Sequence, residues 1–104
     1  GMDIFIKSLP ILPRTLDLIR DGVTNVGTKQ NRNSFEEYVI LDGDVPAEYE
    51  ILLYNAETSG GLLISVGVNR VDYLLQDLEN IGVKAVVVGE VTASHAGKVR
   101  IINN

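Results

Sequence analysis

From Asn69 to Ile81 the apolar residues Val71, Leu74, Leu75, Leu78 and Ile81 recur at helical spacing, while Arg70, Asp72, Gln76, Asp77 and Glu79 fall on the other side. Two runs that are apolar on both faces flank this amphipathic segment: Gly61–Val66, and Lys84–Val91 with its centre at Ala85-Val86-Val87-Val88. Runs of that kind read as strands covered from both sides. The pattern therefore predicts a strand–helix–strand unit whose two strands are parallel and joined by a right-handed crossover. Asn69 can cap the helix, and Gly82 can take the left-handed turn that ends it. Burying the stripe is worth roughly 7–15 kcal/mol gross at ~1.5–3 kcal/mol per side chain, so it is read as core.

The remaining elements are shorter. Asp3–Lys7 reads as an opening strand bounded by Ser8 and Pro10, and Leu12, Leu16 and Ile19 predict a helix near Pro13–Arg20 that stops at Gly22. Asp21–Asn33 is rich in Gly, Asn and Thr and has no apolar period, which reads as a long loop. Ser34 can cap a short helix over Phe35–Ile40, with Glu36 and Glu37 in its first turn. Asp44 and Pro46 mark a better start, for a helix over Pro46–Tyr54. Lys98–Ile102 is a last strand that can return antiparallel as a hairpin after Lys84–Val91. The sum is an α+β chain, a mixed β-sheet with helices packed on it, in one domain over 2–104. Its 104 residues, 45% of them apolar, are too few for two ordinary cores.

Composition removes several functions. With no cysteine there is no disulfide, thiolate metal site or thiol nucleophile, and a reducing, cytoplasmic location is expected. No apolar run reaches the ~20 residues a membrane span needs, and Gly1 ahead of Met2 reads as an expression remnant rather than part of a leader. A net charge of −5 opposes nucleic-acid binding. No zinc, Walker or nucleophile-elbow pattern is present, so neither a metal site nor a catalytic residue is assigned. His95, in Ala93-Ser94-His95-Ala96-Gly97, reads as an exposed turn residue, and Lys29 and Arg32 read as solvated cations.

Chemistry concentrates in Thr58-Ser59-Gly60-Gly61. Paired glycines permit close backbone approach, and successive amides with hydroxyls can hold an anion such as phosphate; the same residues can equally form a tight turn into the next strand. The longer run Leu53-Tyr54-Asn55-Ala56-Glu57-Thr58-Ser59-Gly60-Gly61-Leu62-Leu63-Ile64-Ser65-Val66 resembles the Asp-Pro-Gln-Thr-Ser-Gly-Gly-Leu-Leu segment of selenophosphate synthetases, also called selenide, water dikinases. Gly27-Thr28-Lys29-Gln30-Asn31 resembles that family's upstream Gly-Gly-Thr-x-x-Asn, and Val88-Gly89-Glu90-Val91 its downstream Ile-Gly-Glu-Val.

The resemblance implies the carboxy-terminal domain shared with aminoimidazole ribonucleotide synthetase. It also implies a complete enzyme that uses ATP and magnesium to convert selenide and water to selenophosphate, AMP and phosphate. Thr58, Ser59, Gly60, Gly61, Gly27, Thr28 and Asn31 would then lie near phosphate or nucleotide. The family's reactive Cys or selenocysteine, its lysine, its Gly-rich ATP loop and its Asp-Val-Thr-Gly-Phe-Gly segment precede the matched region. The expectation is a truncated or separately made terminal portion, inactive alone and holding no cofactor by itself. Its expected partner is the missing amino-terminal catalytic domain or a second copy in a homo-oligomer; the alternative is a stand-alone docking module. Three departures bear on the site. Asn55 replaces an Asp and cannot act as the same anionic ligand, Ala56 removes the rigid angle of a Pro, and Glu57 replaces a Gln and adds charge beside the loop.

Overall fold

The computed structural model describes all of residues 1–104. Eight regular elements carry the fold: β1 (Met2–Phe5), α1 (Thr15–Arg20), α2 (Val26–Phe35), β2 (Val39–Asp42), α3 (Ala47–Leu53), α4 (Val71–Asn80), β3 (Gly89–Val91) and β4 (Val99–Ile102). The strands form one mixed sheet in the order β2-β4-β1-β3, as an α+β chain of this pattern predicts. β4 runs parallel to both β1 and β2, whereas β3 runs antiparallel to β1. The expected hairpin between the last two strands does not form, because β1 lies between them and takes the hydrogen bonds of both.

Alternation along β1 decides the faces. Ile4 lies opposite Ile101, and with Ile6 these make the buried centre, 1% exposed at Ile6 and 2% at Ile101. Val39 and Val99 from neighbouring strands, and Tyr49 and Leu53 from α3, pack around it. α1 leans on α3 and is pinned by Arg20, whose guanidinium donates to Glu48 at 2.6 and 2.8 Å. The Glu48 carboxyl is held below its ordinary pKa first by its own backbone amide near the helix start and then by Arg20. On the far side of β1, Gly89 passes so close that any side chain there would collide with the Asp3 carbonyl oxygen, which is why this strand crosses β1 at a glycine.

Further expectations fail. The stretch assigned to a loop, Asp21–Asn33, contains most of α2: Asn25 caps it by accepting from the Thr28 amide at 2.9 Å, and one cap supplies what the missing apolar period did not announce. That helix runs on through Ser34, so no new helix starts there; a 3-10 turn over Glu36–Tyr38 and then β2 occupy the predicted Phe35–Ile40 helix. α4 begins after a 3-10 turn at Val68–Arg70 with Arg70 rather than Asn69 at its cap, whereas its end agrees with the expectation, Gly82 taking the left-handed turn at φ 80°.

The largest failure concerns the two runs that are apolar on both faces. Gly61–Val66 pairs with no strand and is exposed along its length, Leu62 at 89%, and of Lys84–Val91 only Gly89–Val91 joins the sheet. The right-handed parallel unit is therefore absent. The α4 stripe is half-buried at Val71, Leu74, Leu75 and Leu78 and exposed at Ile81. Strands apolar on both faces need cover on both; α3 packs on the Ile4–Ile101 face through Tyr49 and Leu53, α1 packs on α3, and α4 packs mainly against the 3-10 turn that precedes it. No helix is long and apolar enough to cross a membrane.

The centre of the sheet carries the stability. Ile101→Ala is expected to cost about 2–5 kcal/mol in urea unfolding, and Leu62→Ala less than about 0.5 kcal/mol; equal losses at the two positions would contradict this division of the core.

Candidate functional site

The structure joins the two motif segments at Asn55–Ala56 rather than at the glycines. α2 starts beside the end of α3, and its first turn presents Gly27 and Thr28 to the Asn55–Ala56 bend. A side-chain carbon placed on Gly27 would lie 2.5 Å from the Ala56 Cβ, inside contact distance, so only glycine lets the helix approach. Thr28 is 5% exposed, and its hydroxyl lies 3.1 Å from Asn25 Oδ1 and 3.3 Å from Asn55 Oδ1. Asn25 Nδ2 donates to Asn55 Oδ1 at 3.1 Å, and Asn31, one turn along, donates to the Tyr54 carbonyl at 3.0 Å. A buried hydroxyl and the carbonyl of Tyr54, the residue just past α3, are satisfied by this single junction. Burial raises the pKa of the Tyr54 phenol.

Thr58, Ser59, Gly60 and Gly61 lie just beyond, all exposed. No hydrogen bond links them to Gly27, Thr28 or Asn31, and neither their backbone N–H groups nor the two hydroxyls find an acceptor in the chain. The left-handed residue of the segment is Ser59, at φ 57°, and neither Gly60 nor Gly61 has a positive φ. Four successive unpaired amides, with a left-handed residue among them, can receive an anionic oxygen. Cations are sparse. Arg32 pairs with Glu50 at 2.8 Å and with Glu36 at 3.6 Å, so it is not the free cation its sequence position suggested, while Lys29 is exposed. No three Asp, Glu or His side chains converge, and the chain's own residues do not compose a magnesium site.

Sequence reading missed a second polar cluster. Asp3, 3% exposed, stands opposite Arg100 in the β1–β4 register and accepts from its Nε at 3.0 Å and its Nη2 at 2.6 Å. His95, read above as an exposed turn residue, is instead largely enclosed, with Nε2 3.0 Å from Asp3 Oδ1. The signal was the Asp and Arg at one register position of two strands 97 residues apart, which becomes visible only once the pairing is known. The hydrogen bonds from Arg100 hold the Asp3 carboxyl below its usual pKa; burial opposes this, and the charges of Arg100 and His95 add to it.

No family model matches the chain. Individual proteins do. It is 39% identical over 88 residues to a selenide, water dikinase of Porphyromonas gingivalis, a match that covers 83% of this chain and 25% of that protein. Proteins of the same name from Myxococcus xanthus and Pelobacter propionicus are each 34% identical over 92 residues, covering 88% of this chain and 26% of theirs. The chain thus spans about a quarter of the length of these relatives.

Gly27→Ala is expected to lower stability by about 1–3 kcal/mol through its collision with Ala56, and Ala56→Gly should rescue it in the double variant; loss without rescue would place the strain elsewhere. Because the Asp3 pKa is lower in the folded chain, its contribution is complete above the ordinary carboxylate value and is lost as pH falls through the folded-state value. Urea unfolding between pH 7 and 3 should show a steep acid loss below about pH 4 that Asp3→Asn flattens, from a lower plateau at pH 7.

Proposed function

The chain is related by sequence to the selenide, water dikinases over the quarter of their length that it matches, and from that relationship we propose that it borders the bound nucleotide of such an enzyme without turning it over alone. The observation that carries this reading is the loop Thr58–Gly61, whose amides are free and whose base is fastened to α2. Backbone N–H groups can meet phosphate oxygens without a side-chain charge, and in phosphoryl transfer such contacts position the reacting group. Beyond these amides the chain offers a single unpaired cation on α2, the exposed Lys29. There is no cysteine, the sole histidine lies between β3 and β4 with its Nε2 3.0 Å from Asp3 Oδ1, and Arg32 is paired with Glu50. Positioning without a nucleophile or a metal cluster gives binding, not turnover.

A second reading is favoured by the uncovered apolar surface of Leu62, Leu63 and Ile64 and of Val86 and Val87. Contiguous apolar surface of that kind drives association, so the chain would dock on a catalytic partner or on its own copy.

The test is a chimera in which this chain replaces the matching quarter of the Porphyromonas gingivalis protein. The chain alone is expected to release no AMP from ATP with magnesium and selenide, and the chimera to release it. In the chimera, Ser59→Pro, which removes an amide donor and cannot adopt the observed φ, should cost about tenfold or more in kcat/KM. A folded chimera without turnover would overturn the nucleotide reading. Light scattering that shows an assembly of the chain alone would then leave the docking reading standing.

A further inference from the structure

Between α2, α3 and the sheet lies an opening of about 280 Å³. Close-packed interiors keep few gaps larger than a water molecule, so a gap of this size against the core is room for an occupant. Ile4, Val99 and Ile101 of the sheet and Leu53 of α3 form its apolar wall, and Phe35 and Leu41, 56% and 44% exposed, stand where it meets solvent. It exceeds the ~150 Å³ that encloses a benzene ring and falls just short of the ~300 Å³ at which sites for drug-sized molecules begin. One ring with a short chain fits that size.

The polar groups of the lining are Asn31, Glu50 and the phenol of Tyr54, and each keeps an oxygen unclaimed. Tyr54 is 7% exposed, yet its phenol makes no hydrogen bond within the chain. Asn31 spends its NH₂ on the Tyr54 carbonyl at 3.0 Å, which leaves its Oδ1 as an acceptor. Glu50 faces Arg32 Nη2 through Oε1 at 2.8 Å, and its Oε2 accepts no hydrogen bond. Two acceptors and a hydroxyl are matched by a donor. The charge selects among donors, because Arg32 is shared between Glu50 and Glu36, at 2.8 and 3.6 Å, and the three groups together carry one negative charge. A monocation balances it and makes the stronger, charge-assisted kind of hydrogen bond. Burial holds the Tyr54 phenol above its ordinary pKa and the Glu50 charge adds to this, so a hydroxyl that keeps its proton stands within reach of that carboxylate.

We propose that this opening binds a small amine with an apolar body, its ring against Ile4, Leu53, Val99 and Ile101 and its ammonium among Glu50, Asn31 and Tyr54. The site uses none of the Thr58–Gly61 amides on which the nucleotide reading rests, so the two stand or fall separately.

The test is an NMR titration of the ¹⁵N-labelled full 104-residue chain with benzylamine. Amide shifts should saturate with a Kd below about 1 mM and map to Asn31, Phe35, Leu41, Leu53 and Tyr54. Benzyl alcohol, of the same size without the charge, should bind about tenfold more weakly, and this comparison needs no variant. Glu50→Gln should bring benzylamine to the level of the alcohol, and Tyr54→Phe, which keeps the ring and removes the hydroxyl, should weaken it by about three- to tenfold. Leu41→Trp adds bulk to the opening from an exposed position and should abolish binding, with an unchanged urea midpoint showing that the variant is folded. No saturable shift, equal affinity for the amine and the alcohol, full affinity in a folded Leu41→Trp, or shifts confined to acidic surface elsewhere, such as Asp77 and Glu79, would each overturn the proposal.

Discussion

Pairing of β1 with β4 is the contact on which the structure depends. Met2–Phe5 meets Val99–Ile102 in parallel register, so the two ends of the chain form the middle of the sheet, and β2 and β3 can only add to its outer edges. The pairing makes two different interiors at once. On one face Ile4 and Ile101 come together and, with Ile6, create the only well-buried apolar centre. On the other Asp3 meets Arg100 and is closed over by His95. A desolvated carboxylate is costly unless its lone pairs are taken, and two guanidinium hydrogen bonds take them. The same ladder therefore sets the apolar core and imposes a polar partner on the opposite side, and neither interior exists while the chain ends are apart.

The second organising contact is smaller and more specific. Gly27 lets α2 come up against Ala56, and the approach places Thr28 and Asn25 where they can fix the side chain of Asn55. Two segments nearly thirty residues apart in sequence become one junction, made almost entirely of neutral amides and hydroxyls. Neutral partners suit the place. They order the bend without spending a charge, and the exposed loop beyond it keeps its amides unclaimed. The negative charge at position 57 then stands at the edge of the loop, tied back to Asn55.

A different physical condition governs the region from Gly61 to Val88. Its composition is that of interior strands and a core helix, yet Leu62, Leu63, Ile64, Val86 and Val87 are exposed and α4 is covered only in part. Apolar periodicity reports which surface a segment would bury and says nothing about what is present to bury it. Of the helices, α3 is the one that packs on the core of the four-stranded sheet, through Tyr49 and Leu53. The helix is nevertheless formed, since its stripe and the turn at Gly82 are local properties.

The sequence by itself determined the helix-forming stretches with a sharp start or stop, at Pro46 and Gly82, the strand character of the two chain ends, and the kinship carried by Thr58–Gly61 and Gly27–Asn31. Each is written in neighbouring residues, through caps, turn residues, alternation or an ordered motif. Only the tertiary structure decided that Asn25 starts a helix inside a polar stretch, that the two motifs meet at Asn55–Ala56, that His95 closes over Asp3, and that the most apolar strands stay unpaired. The reason is the same in all four: each depends on which partner lies across a gap of many residues, and hydrogen bonds, close packing and desolvation are properties of that pair, which no window of sequence contains.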